Sequence, residues 1–127
     1  MKIITSLILA LSFATSALAE QHIIASATLK ANTEIVSTPK VELYLGLEAT
    51  RRAVIKIDNK QYMFALKSSA FEKDGKYEYS VAISLSDKDE DDFVVSKHGK
   101  TSILKPINLF FEKDGANYTA VVNLVPK

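Results

Sequence analysis

The chain has 127 residues, 16 Lys and Arg against 15 Asp and Glu, and neither cysteine nor tryptophan. Balanced charge without a basic stripe interleaved with aromatics argues against nucleic acid as a partner, because phosphate binding needs concentrated Lys and Arg to displace counterions. The missing cysteines rule out disulfide staples and thiolate chemistry, so stability has to rest on packing.

The N-terminus MKIITSLILALSFATSALA carries one early cation, Lys2, then a largely apolar run from Ile3 to about Ala14, and ends in Ala17-Leu18-Ala19. This is the three-part layout of a secretory signal peptide, with cleavage expected after Ala19. The apolar run is shorter than the roughly 20 residues a bilayer requires, and no basic stop follows it, so no membrane span is expected after cleavage. Residues 1–19 thus read as the leader and residues 20–127 as a single domain, exported to the periplasm or secreted from a bacterial cell. Without Lys2 the domain carries equal numbers of basic and acidic residues. A domain of this size buries roughly 60–70% of the surface its unfolded chain exposes, enough for one core.

The domain alternates from its first residues. In HIIASATLKA, Ile23, Ala25, Ala27 and Leu29 share one face while His22, Ser26, Thr28 and Lys30 share the other. The same period of two runs through Val41, Leu43 and Leu45, then Ala53, Ile55 and Ile57, then Tyr62, Phe64 and Leu66. It is longest in KYEYSVAISL, with Tyr77, Tyr79, Val81, Ile83 and Leu85 on one side. Such alternation marks strands with one face on a core and one in water. Strands are expected at 22–31, 40–46, 52–58, 61–67, 76–86, 93–97, 101–112 and 117–125. A single helical turn could form over Leu45–Arg52. Pro39 sits before a strand, where a missing N–H costs little, and Pro106 within a strand-like run points to an edge or a bulge.

The turns support this reading. Asp58 and Asn59 lie between two alternating runs and tolerate positive φ in a tight hairpin. The pentapeptide FEKDG occurs twice, at Phe71–Gly75 and Phe111–Gly115, each time before an alternating run. Its Lys-Asp pair suits a type I turn followed by glycine in a G1 bulge, which makes each copy a hairpin tip, with Phe71 and Phe111 ending the arriving strands. The two halves around these tips could be a loose internal repeat. The expected fold is therefore all-β: an antiparallel β-sandwich of about seven to eight strands built from hairpins, with a small barrel as the alternative.

Catalytic constellations do not emerge. His22 and His98 are far apart in sequence, and no HExxH is present. The run SDKDEDD places Asp87, Asp89 and Asp91 at alternate positions, like the start of a calcium loop. However, Asp92 stands where that loop needs glycine, and His98 where it needs glutamate, so a solvated loop is expected over Asp87–Asp92. There is no GxSxG around any serine, Ser68-Ser69 reads as surface, and the acids gather at turns rather than as a pair across a cleft. Asn117-Tyr118-Thr119 reads as a strand start, Arg51-Arg52 as a solvated strand face, and Tyr77 and Tyr79 as core. No catalytic residue, cofactor site or metal ligand is assigned, and no enzyme activity is expected.

Two functions fit. One is a binding or accessory module that recognises a protein or envelope component through loops or a sheet edge. The other is a surface assembly subunit. GANYTAVVNLV resembles the last strand of chaperone–usher fimbrial subunits, and EQHIIASATLK would suit a donor strand that completes a neighbour's sheet. The resemblance covers about a tenth of the chain at each end, and it implies self-assembly through the N-terminal strand.

Overall fold

Alternation becomes strand along nearly the whole chain. The computed structural model describes residues 22–32 and 34–127; the expected leader, 1–19, lies outside them. Nine strands follow in order: β1 (His22–Ala31), β2 (Glu34–Ser37), β3 (Lys40–Tyr44), β4 (Glu48–Ile57), β5 (Lys60–Lys73), β6 (Lys76–Ser86), β7 (Phe93–Thr101), β8 (Ile107–Lys113) and β9 (Ala116–Pro126). They form two antiparallel sheets packed face to face, a β-sandwich. Sheet A has β1 and β9 at its centre, β8 on one edge, and β2 and β3 sharing the other edge of β1. Sheet B is a plain meander, β4-β5-β6-β7. Chain neighbours β3 and β4, and likewise β7 and β8, belong to different sheets, so the strands do not close into a barrel.

The core draws on both sheets. On the inner face of sheet A, Ala25, Ala27 and Ala120 are buried beside Ile23, Leu29, Leu43, Leu109, Val122 and Leu124. Sheet B contributes Phe64, Leu66, Val81, Ile83 and Leu85, with Ser68 and Ala70 as its small members. Large and small side chains on both faces let the two sheets interdigitate at native density.

Three of the tight hairpins have two-residue turns that are described in full. Asp58-Asn59, Asp74-Gly75 and Asp114-Gly115 each have positive φ at both positions. This is the type I′ turn, whose twist matches that of the strands it joins. The expected type I turn with a G1 bulge at Lys-Asp is therefore corrected: the ladders continue one residue further, pairing Lys73 with Lys76 and Lys113 with Ala116.

Other boundaries shift for local reasons. The possible helical turn over 45–52 is instead a turn closed by the Leu47 N–H donating to the Tyr44 carbonyl (3.0 Å), and β4 begins at Glu48. β5 runs on to Lys73 rather than stopping at residue 67. The expected strand 101–112 is broken: β7 reaches Thr101, and β8 starts at Ile107, just after Pro106, on a sheet edge where a missing N–H is tolerated. The short strand β2 has no counterpart among the expected strands.

Ser68 and Ser69 are not surface residues. Both are buried in β5, and Ser68 Oγ points to the core side with no hydrogen-bond partner among the described residues. A buried hydroxyl that makes no bond carries its desolvation cost uncompensated. Ser68→Ala is expected to stabilise the fold by about 1 kcal/mol, read as a higher urea midpoint at unchanged slope.

Candidate functional site

The antiparallel order gives the sandwich two ends. The apical end gathers the β4–β5 turn, the β6–β7 loop and the β8–β9 turn; the basal end gathers the β3–β4 turn, the β5–β6 turn, the start of β1 and the finish of β9.

At the apical end, the acidic loop is solvated, exposed at every position of residues 87–92 but Asp91, and its ion pairs make it a clasp. Arg52 on β4 holds Asp91 in a bidentate pair at 3.1 and 2.5 Å. Lys60 reaches Asp87 at 3.1 Å, and Lys113 on β8 reaches Asp92 at 3.1 Å. The loop springs from sheet B, so its contact with Lys113 ties sheet A to it. The backbone completes the fold of the loop. Ser84 Oγ accepts the Asp92 N–H at 2.7 Å, and Ser86 Oγ accepts the Lys88 N–H at 3.1 Å. Ser84, and Ala65 opposite it in register, belong to the outward-facing set of sheet B, yet both are fully buried. Nearby, Tyr62 donates its hydroxyl to Asp114 (3.2 Å). Burial pushes the hydroxyls of Tyr62 and Tyr118 above the ordinary tyrosine range.

These contacts bear on the calcium motif. Asp87, Asp91 and Asp92 each engage a different cation. Among the described residues no group of three or more His, Cys, Asp or Glu is arranged to hold a metal. His22 lies on β1 in sheet A and His98 on β7 in sheet B.

The clasp has a defined pH response. Hydrogen bonds from Arg52 and from Lys60 hold the carboxyls of Asp91 and Asp87 below the usual aspartate range. A folded-state value lower than the unfolded one means the stabilisation is present above the unfolded value, about 3.9, and is lost as pH falls through the folded values beneath it. The Asp87 and Asp91 side-chain carboxyl resonances are expected to hold steady from neutral pH to about pH 4 and to move below it. Arg52→Ala is expected to loosen the amides of residues 87–92 at neutral pH, with little change in global stability, because exposed pairs contribute little.

The basal end holds a recess of about 180 Å3 where the two sheets part, lined by His22, Ile23, Leu45, Glu72, Tyr77, Pro126 and Lys127. Beside it, on the outer face of sheet A, His22 Nε2 lies 2.8 Å from Glu42, and its ring meets Tyr44 edge-on at 5.4 Å. The Lys127 N–H donates to the His22 carbonyl (3.0 Å), and Lys127 Nζ lies 3.5 Å from Glu42. The recess therefore combines a tyrosine ring, apolar walls and charges of both signs, in a volume suited to one side chain or a chain end. Sequence reading misses it because its residues come from both ends of the chain and from the β5–β6 hairpin, and only the pairing of β1 with β9 brings these together. Of its members, Ile23, Leu45 and Tyr77 read in the sequence as core-facing strand residues and His22 as a polar-face one, none of them as part of a site; Tyr77 is half-buried, packed on the core and open to the recess.

Comparison with protein-family models, with curated proteins and with solved structures returned no match. Among the described residues no helix is long and apolar enough to cross a membrane.

Proposed function

We propose that the protein is an exported, non-enzymatic accessory module of the bacterial envelope, acting in the periplasm or after secretion, and that it binds a protein or another envelope component through its basal recess. The observation that supports this reading is where the polar chemistry lies. Apolar side chains fill the space between the sheets, while His22, Glu72, Tyr77 and Lys127 surround an open concavity at the surface. Pockets that mix aromatic and apolar walls with a few convergent polar groups are the usual form of a binding site.

Strand pairing favours a self-contained module over an assembly subunit that lends its first strand. β1 pairs with β9 from Ile23 to Ala31 on one flank, and with β3 and β2 on the other. A donated strand would have to give up both ladders.

The test is site-specific cross-linking in cells. A photoreactive amino acid replaces Tyr77 in the recess or, as a control, Asp58 at the apical end. An adduct that forms at position 77 and not at position 58 supports recognition through the recess. Equal labelling at both positions, or none at position 77, sinks it.

A further inference from the structure

A sandwich that is open at two seams has four sheet edges, and exposed edges are templates for pairing with other chains. Three of the four carry devices that discourage this. β4 bears Glu48, Arg51, Arg52 and Lys56. β7 bears Lys97, His98 and Lys100, and its ladder with β6 is broken by a register shift at Ile83/Ser84. The edge beside β1 is split between two short strands, β2 and β3, with Glu34, Lys40 and Glu42 among their nine residues. β8 differs in where its charges lie: Glu112 and Lys113 sit at its turn end and Pro106 just before it, while Ile107–Phe111 between them is an uncharged run on an edge strand, and among the described residues β8 forms a ladder only with β9. Among the same residues no backbone hydrogen bond links it to β7. Phe110, 71% exposed, projects from the middle of its outer face.

We infer that the free edge of β8 pairs antiparallel with β8 of a second copy of the chain, joining two copies of sheet A into one continuous sheet. The sequence of the strand fits its own reverse. With the two-fold axis at Phe110, Phe110 meets Phe110 on the outer face, Leu109 meets Phe111 on the inner face, and Asn108 meets Glu112. No like charges stand opposite each other. Lys113 falls opposite Ile107, and its ammonium is held by Asp92 in its own chain. Aromatic pairs across antiparallel strands are favourable, and a two-fold edge pairing is closed, because it uses up the edge of both partners. This association is independent of whatever the basal recess binds.

The experiment is size-exclusion chromatography with light scattering on the exported protein over a dilution series. The expected species is a dimer that dissociates on dilution. Phe110→Lys is expected to weaken association ~10-fold or more by placing two cations at the axis. Asn108→Glu gives a second, independent test on the same exposed face: it sets a carboxylate opposite Glu112 of the other copy, twice per dimer, and is expected to weaken association as well. Phe71→Lys, at an exposed phenylalanine on the interior strand β5, is the control and should leave the dimer intact. Circular dichroism checks that each variant is folded. Wild-type protein that stays monomeric throughout or forms multimers beyond two overturns the inference, and so does a folded Phe110→Lys variant that dimerises as well as wild type.

Discussion

Ala27→Asp is expected to abolish folding of the isolated chain. Ala27 is fully buried on the inner face of β1, opposite Val122 on β9, with Ala25, Leu29 and Ala120 equally buried around it. A carboxylate there has no partner in the apolar cluster, and the effective cost of burying an unpaired ion is several kcal/mol. Protonation lowers that cost without removing it, since an unbonded polar group still costs roughly 2–7 kcal/mol. Domains of this size are stable by about 5–15 kcal/mol, so one such group consumes most or all of the margin. The measurement is far-UV circular dichroism with a urea titration. Thr28→Asp, one residue along on the solvent face, should stay within about 0.5 kcal/mol of wild type. The variant also separates the two functional readings. In a self-contained module, Ala27→Asp removes the folded monomer. In an assembly subunit, whose first strand serves a neighbour, it would block polymerisation and leave the subunit bound to its chaperone. A wild-type urea midpoint for Ala27→Asp would show that β1 does not lie inside its own sheet.

How much of this is legible in the sequence depends on how far each strand's signal outruns its neighbours. β1, β6 and β9 carry four or five apolar residues in strict alternation, and the pattern alone places all three close to their true bounds. β2 has four residues, and its pairing with β1 is interrupted by a shift between Leu29 and Lys30, so no alternation can accumulate. β5 reads short because Ser68 and Ser69 interrupt its apolar set, although the ladder with β6 runs unbroken from Met63 to Lys73. The repeated FEKDG shows the limit most clearly. Both copies make the same Asp-Gly turn, yet Phe71 points outward beside Gly46, while Phe111 stacks inward on Tyr118 at 5.2 Å. The turn depends on two residues that need positive φ, and that is local. The facing of the phenylalanine depends on the register of the whole hairpin against the other sheet, and that is not. The repeat therefore records turn chemistry, with the two copies on different sheets. The basal recess lies further still from the sequence, since it exists only where residues 22, 45, 72, 77 and 127 converge.

The core is most vulnerable at its largest side chain. Phe64 is the largest fully buried side chain, on β5 between Ala53 of β4 and Leu85 of β6. Ala25, Ala27 and Ala120, the fully buried small residues of sheet A, are themselves alanines and have no rotamers with which to fill a void. Collapse around a truncated Phe64 would have to come from the branched side chains beside it, such as Leu66 and Leu85, or from moving a sheet, which both ladders oppose. Phe64→Ala is accordingly expected to cost about 3–5 kcal/mol, at the upper end for a core phenylalanine. For a domain of roughly 100 residues each kcal/mol lowers the melting temperature by about 4–8 °C, so the shift should exceed about 10 °C by a wide margin. Phe110→Ala removes the same atoms from an exposed site and should change the stability of the monomer by no more than about 0.5 kcal/mol. Calorimetry on the two variants, at a concentration where the chain is monomeric, gives the comparison. Equal losses would mean that Phe110 is as buried as Phe64. A loss at Phe64 near about 1 kcal/mol would mean that neighbouring side chains or the sheets themselves close over the gap.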